Sequence, residues 1–187
     1  MSKFKSTSVK VISSIISSIL VISALTCGSK ATAYASERND GMNGKVISYS
    51  IQHISPTKQV EVTVYDLGDG YTATETTVTE DTNMMSRASA SGDKTQNKDV
   101  ELKNGKETAA TIKVSAVFSY DGSRAAVKEY NQSKTIRSGY TETAWNTDKG
   151  DSTAFKDAFV SAKLTVKNDK TGKSVSGSAK VTCSKNG

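Results

Sequence analysis

A two-residue alternation of apolar and polar side chains recurs from Val46 to the C-terminus, and it restricts the fold more than any other feature of the sequence. Side chains of a strand point alternately to its two faces, so this period indicates strands with one apolar face. No stretch after residue 36 has a sustained helical period. The alternation predicts strands over Val46–Gln52, Val60–Tyr65, Tyr71–Thr79, Asp99–Leu102, Glu107–Tyr120, Ala125–Gln132, Gly139–Asn146, Ala158–Lys167 and Ser174–Cys183.

Glycine, asparagine and aspartate residues separate these strands and predict tight turns. Asn104-Gly105 is the strongest hairpin signal, because both residues accept the positive φ of a type I′ turn. Further turns are predicted at Asp66–Gly70, at Asp121-Gly122 and over Asn168–Lys173. Residues Met84–Asn97 are small, polar and aperiodic, so we predict a mobile connection there.

The length of the chain after residue 35 suits a single domain. Ser36–Gly187 is long enough to bury a core without a disulfide or a metal ion. Short strands with one polar face predict an all-β fold, and we expect an antiparallel β-sandwich with an immunoglobulin-like architecture. The Cys–Trp–Cys spacing of true immunoglobulin domains is absent, so this expectation concerns architecture only.

Residues 1–35 have the composition of a secretion signal and predict an N-terminal signal helix. Lysines precede an apolar run from Val9 to Ala24, and Ala33-Tyr34-Ala35 offers small residues to a signal peptidase. The formal net charge of +6 comes mostly from this segment, which holds four lysines and no acid. A nearly neutral domain remains after cleavage, and its balance favours neither nucleic acid nor an anionic membrane as a partner.

The two cysteines raise an alternative for export. Cys27 lies in the signal region, where lipidation would anchor the chain to the membrane, although Ala24-Leu25-Thr26 fits the lipoprotein pattern poorly. A mature N-terminus at Ser36 or at Cys27 distinguishes secretion from this anchor. Cys183 shares the inward parity of Val181, so we expect a buried thiol of low reactivity.

Residues for catalysis are scarce. His53 is the only histidine of the chain, and we predict a loop position for it just past the first strand. A hydrolytic triad would have to use this imidazole, yet no G-x-S-x-G motif is present. A carboxylate pair for glycoside hydrolysis stays open as an alternative, although no pair stands out among the 19 acids. The sequence therefore predicts no catalytic residue.

Metal and cofactor motifs are equally weak. A structural zinc site needs four Cys or His ligands, more than the mature region contains. Asp66–Gly70 is similar to the start of a calcium loop, but the twelfth position from Asp66 is Thr77 instead of glutamate. No Walker loop or dinucleotide motif occurs. We therefore predict no cofactor, no nucleic-acid partner, and contact with a membrane only through the signal segment before cleavage.

Several short motifs, in order, resemble a group of uncharacterised small secreted β-rich proteins of Gram-positive, clostridia-like bacteria. The matching pieces are Asp66–Tyr71 running into Glu75–Thr77, then Ser86–Ala88, Phe118–Ser123, Trp145 and Val181–Gly187. The resemblance implies a secreted β-fold with no assigned activity. It also implies a second cysteine shortly after the Phe-x-Tyr-x-Gly stretch, where this chain has Ala125-Ala126-Val127.

We therefore predict an exported, non-catalytic β-domain that binds a protein or glycan at the cell surface or outside the cell. A secreted hydrolase with an unrecognised carboxylate pair and a secreted antagonistic, bacteriocin-like factor are the alternatives. Binding residues of such frameworks commonly lie on loops. The candidate loops are Asp66–Tyr71, Asp121–Arg124 and Trp145–Asp151. We expect Trp145 to anchor the core or its rim, and a carbohydrate-stacking platform of Trp145 with Tyr140 is the alternative. The candidate contact residues are Asp66, Asp69, Tyr71, Asp121, Arg124, Tyr140 and Trp145.

Overall fold

The structure of the chain, a computed structural model, describes residues 42–81 and 91–187. These residues form strands, turns and bends, with no helix among them. The predicted signal helix, Cys27 and residues 84–90 lie outside the described residues. The nine strands are β1 (Lys45–Ser55), β2 (Lys58–Gly68), β3 (Tyr71–Asp81), β4 (Gly92–Asn104), β5 (Glu107–Tyr120), β6 (Ala125–Ile136), β7 (Tyr140–Gly150), β8 (Ala158–Asn168) and β9 (Ser174–Cys183).

The strands build two antiparallel sheets. The six-stranded sheet has the order β1-β2-β3-β4-β5-β6, and the three-stranded sheet has the order β7-β8-β9. The all-β prediction is thereby confirmed. The immunoglobulin-like architecture is not confirmed, because the strands of each sheet follow one another in sequence order, whereas immunoglobulin domains have Greek-key connections. No helix in residues 42–81 or 91–187 has the length and apolar character needed to cross a bilayer.

The three-stranded sheet packs face to face on β4, β5 and β6 and reaches β3 through β9. Gly177 sets how closely the sheets approach, because a Cβ there would lie 2.7 Å from Leu102 Cδ2. Burial of apolar side chains between these layers stabilises the fold by about 25 cal/mol for each Å² of apolar surface removed from water. The largest fully buried side chains are Phe118, Leu102, Ile112, Leu164, Val100, Val114, Val160, Val166, Val181 and Cys183.

Strand β4 starts earlier than the sequence pattern indicates. The prediction of a mobile connection over Met84–Asn97 is wrong for residues 92–97, which form the first half of this strand. The pattern misses them because their inward side chains are polar. Gln96 Nε2 donates to Thr79 Oγ1 at 3.1 Å, and Gln96 Oε1 accepts the backbone N–H of Thr182 at 2.9 Å. These bonds satisfy polar groups that alternation assigns to a loop.

Strands β1 and β2 form the part of the large sheet farthest from the three-stranded sheet. All 11 residues of β1 are exposed, and β1 pairs with β2 alone among the described strands. In β2 the buried side chains are Thr63 and Tyr65. Val62 pairs with Thr76, and Thr76 pairs with Asp99, whose side chain points away from the three-stranded sheet. Residues paired across a sheet share a face, so the valines of β2 also face away from the core.

Candidate functional site

Four chain reversals lie at one end of the domain, which we call the turn end. They are the turns 68–70, 105–106, 137–139 and 169–173, and they connect β2–β3, β4–β5, β6–β7 and β8–β9. Backbone bonds join them: Gly105 N–H donates to Gly70 O at 3.1 Å, and Asp169 N–H donates to Gly139 O at 3.0 Å. Because strands alternate in direction, every second connection of an antiparallel meander falls at the same end.

The first of these reversals is closed by a carboxylate. Asp66 Oδ1 accepts the backbone N–H of Gly68 at 2.8 Å, an Asx turn. Asp69 follows with a φ of 56°, between two glycines that also have positive φ. This conformation strains most L-residues and explains the Gly-Asp-Gly sequence. The prediction of a turn at Asp66–Gly70 is confirmed, and Asp66 is engaged in holding it.

Asp69 projects from this turn toward the last reversal. Its Oδ2 lies 3.3 Å from Lys173 Nζ, and both side chains are more than half exposed. A pair this exposed contributes little to stability because water screens it. The two charges therefore remain accessible to an external partner.

Two tyrosines lie beneath the reversals. Asn104 Nδ2 donates to Tyr140 Oη at 3.2 Å, which fixes the half-buried ring of Tyr140. Tyr71 is buried, and its hydroxyl has no hydrogen-bond partner among the described residues. Burial, with the neighbouring Tyr140 adding to it, raises the pKa of Tyr71 above its usual range. Tyr71 therefore supports the turn end from inside and exposes almost no surface.

Charges of both signs surround the tyrosines. Arg137 Nη2 lies 3.4 Å from Glu107 Oε1, and Thr141 Oγ1 donates to Asp169 Oδ1 at 2.7 Å. Asn168 is buried and accepts the backbone N–H groups of residues 170 and 171 with its Oδ1, each at 3.0 Å. The turn end is thus a polar surface with charges of both signs on short, internally bonded loops.

Asp121 and Arg124 lie at the opposite end, roughly 40 Å away along the 14-residue strand β5. Asp121 Oδ1 accepts the Ser123 hydroxyl at 2.6 Å and the N–H groups of Ser123 and Arg124 at 3.0 and 2.9 Å. These hydrogen bonds, that of the Ser123 hydroxyl first, lower the pKa of Asp121 to about 2. The carboxylate is therefore committed to its own turn, while Arg124 is highly exposed.

Trp145 lies in the middle of β7, so the predicted Trp145–Asp151 loop is strand as far as Gly150. Its partner across the ladder is buried Leu164, and its ring packs against the core. Lys134 Nζ lies over the ring at 4.6 Å from the centroid, a cation–π contact. Tyr140 is five residues away on the same strand, roughly 17 Å, so the two rings form no common platform.

His53 lies within β1 instead of in a loop, which corrects the sequence prediction. It is exposed and pairs across the ladder with Gln59.

In residues 42–81 and 91–187, no group of three or more His, Cys, Asp and Glu side chains is placed to hold a metal ion. A hollow lined by Ser91, Gly92, Asp93, Ser119 and Tyr120 is open to solvent, and Lys128 Nζ contacts both oxygens of Asp93 at 2.9 Å.

Of the seven predicted contact residues, the structure brings Asp66, Asp69, Tyr71 and Tyr140 to one end and leaves the other three elsewhere. Sequence reasoning missed Asn104, Asn168 and Lys173, which complete that end. The order of the turns could have indicated them. Every second turn of a meander lies at the same end, and the predicted turns at 66–70, 104–105 and 168–173 all follow even-numbered strands. Comparison of the chain with protein-family models, curated proteins and solved structures found no match.

Proposed function

We propose that this chain is an exported, non-catalytic binding module whose turn end contacts a protein or a glycan. The observation that carries the proposal is the convergence of four reversals, which places exposed Asp69 and Lys173 at the same end as the fixed ring of Tyr140. Export rests on the signal-like residues 1–35, either by cleavage before Ser36 or by a lipid anchor at Cys27. The resemblance to secreted clostridia-like proteins agrees with export.

Preorganised loops favour binding. The carboxylate of Asp66 and the amide of Asn168 close their own turns, so less backbone entropy is lost when a ligand is bound. Accessible charges of opposite sign give orientation to a polar partner. Immunoglobulin-like sandwiches present their binding loops at one end in the same manner. We propose that the likeness to them extends to this use of loops and not to the order of strands.

A photo-crosslinking experiment tests which end binds. A photoreactive residue replaces Lys106 at the turn end, and a matched protein carries it at Arg124 on the opposite end. Each is incubated with envelopes of producer cells and with a glycan array. We expect a discrete adduct or signal from Lys106 only, and loss of it in an Asp69→Lys, Tyr140→Ala variant. No capture by either protein, or equal capture by both, contradicts the proposal.

The route of export has its own test. Mass spectrometry of the protein recovered from a Gram-positive host gives the mature N-terminus. We expect Ser36 in the culture medium, because Ala33 and Ala35 suit the ordinary signal peptidase. A diacylated Cys27 in the membrane fraction supports the lipid-anchored alternative, and an intact residue 1 inside the cell contradicts export.

A further inference from the structure

The free edge of β1 differs from the other sheet edges among the described strands. From Val46 to Ser55 the strand has no Lys, Arg, Asp or Glu, whereas β6 and β7 each carry several charged side chains and β9 carries Lys180. Val46, Ile47, Tyr49, Ile51 and Ile54 are between 43% and 56% exposed. Native proteins protect edge strands with charges, because an unprotected row of N–H and C=O groups pairs readily with another strand.

The sequence of β1 is self-complementary. Around Ser50, antiparallel pairing of the strand with its own copy places Tyr49 opposite Ile51, Ser48 opposite Gln52 and Ser50 opposite Ser50. Each pair combines side chains of the same sheet face and of matching chemistry. Aromatic and β-branched residues that face one another across a ladder stabilise it. No like charges meet, because the only Lys, Arg, Asp or Glu of the strand, Lys45, falls opposite Ser55.

The present register of β1 permits this pairing. Tyr49 and Ile51 pair with Thr63 and Glu61 of β2 and face the same side of the sheet as the core. Ser48 and Ser50 pair with Val64 and Val62 and face the other side. Bulges interrupt the ladder only between Val46 and Ser48 and between His53 and Ser55, so residues 48–53 form a regular edge.

From these observations we propose that a second copy of this chain pairs with β1, giving a two-fold symmetric dimer with a continuous twelve-stranded sheet. A two-fold axis through Ser50 satisfies the rule that residue i contacts j and j contacts i. One strand per partner buries less surface than a standard interface, so the dimer is weak and concentration-dependent. The proposal uses the β1 edge and is independent of the turn end.

Disulfide trapping tests both the dimer and its axis. Residues facing each other in an antiparallel pair have Cα atoms 4.5–5.5 Å apart, within the range of a disulfide. Under mild oxidation we expect Ser50→Cys to form a covalent dimer rapidly, since residue 50 faces itself. Ser48→Cys is the matched control: residue 48 is also exposed and lies on the same sheet face, but it falls opposite Gln52. All variants carry Cys27→Ser where residues 1–35 are retained.

Sedimentation across a concentration series gives the second readout. We expect the unmodified chain to shift from monomer to dimer as its concentration rises. Ile51→Lys puts a charge on the edge and should weaken association by at least about tenfold. Phe155→Lys, which changes a 96% exposed side chain outside β1, should leave it unchanged. A monomer at every concentration, or trapping by Ser48→Cys and not by Ser50→Cys, overturns the proposal.

Discussion

The two halves of the six-stranded sheet have the same alternation but different environments. Strands β4–β6 lie under the three-stranded sheet, and residues such as Val100, Ile112 and Phe118 are fully buried there. Strand β1, in the same sheet and with a similar apolar content, is exposed along its whole length. Alternation therefore defines a strand and its two faces, while burial depends on whether the three-stranded sheet covers that strand.

The largest effect should distinguish these halves directly. We expect Phe118→Ala to destabilise the domain by about 3–5 kcal/mol, because a large cavity is left between two layers. Ile51→Ala in β1 should change the free energy of unfolding by no more than about 0.5 kcal/mol, as for other surface sites. Chemical denaturation at a concentration where the chain is monomeric measures both. Similar losses for the two variants would mean that β1 is covered in solution.

Two strands that pack between the sheets, β5 and β9, were predicted most accurately. The predicted bounds of β5 agree with the structure at both ends, and β9 agrees as well, because their inward positions are apolar without interruption. The first half of β4 was missed, since Lys94, Gln96 and Lys98 occupy its inward positions. Alternation predicts polar inward residues poorly, because their partners lie far away in the sequence.

Strand β2 shows the other limit of the sequence. Alternation correctly predicts a strand with three valines on one face, but packing turns those valines outward and buries Thr63 and Tyr65. Only the register with β3 and β4 decides which face meets the other sheet. At the turn end, the sequence predicted the turns but not the side-chain contacts between them. The contact of Asn104 with Tyr140, for example, joins residues 36 positions apart.

A buried ion pair marks the boundary between the two halves. Lys98 Nζ lies 2.6 Å from Glu75 Oε1, and both side chains are at most 7% exposed. The second carboxylate oxygen, Glu75 Oε2, is buried without a hydrogen-bond partner among the described residues. Because Oε2 has no partner, the contact of Oε1 with Lys98 compensates only part of the cost of removing the carboxylate from water.

Removing one partner of this pair should lower the free energy of unfolding strongly, whereas removing both should lower it only slightly. We expect Lys98→Met to destabilise the domain by about 3–5 kcal/mol, because it leaves an unpaired buried carboxylate. The double variant Glu75→Leu, Lys98→Met should recover most of that loss. Lys113 and Asp99 form a partly exposed pair on the opposite face at 3.0 Å, and Lys113→Met should cost no more than about 1 kcal/mol. Equal costs for the two lysines would contradict the buried pair.

Thiol chemistry compares exposed β1 with the space between the two sheets, at one sulfur atom each. Cys183 is buried and unpaired, as the parity of β9 predicts, and desolvation first of all raises its pKa to about 11. An ordinary thiol has a pKa of about 8.5. We expect iodoacetamide at pH 8 to modify the cysteine of a Ser48→Cys variant on exposed β1 at least about a hundredfold faster than Cys183, because only the thiolate reacts.

The raised pKa of Cys183 also has a consequence for stability. A thiol whose pKa is higher in the folded than in the unfolded chain favours folding below the unfolded pKa, and this contribution is lost as the pH rises through the folded value. Stability should therefore fall between about pH 8.5 and pH 11 more steeply in the unmodified chain than in Cys183→Ala. The two proteins differ at this one side chain, so the difference between their curves isolates the thiol. Parallel curves would mean that Cys183 reaches water, and the six-stranded sheet would then cover β9 less completely than the contacts of β9 with β4 and β5 indicate.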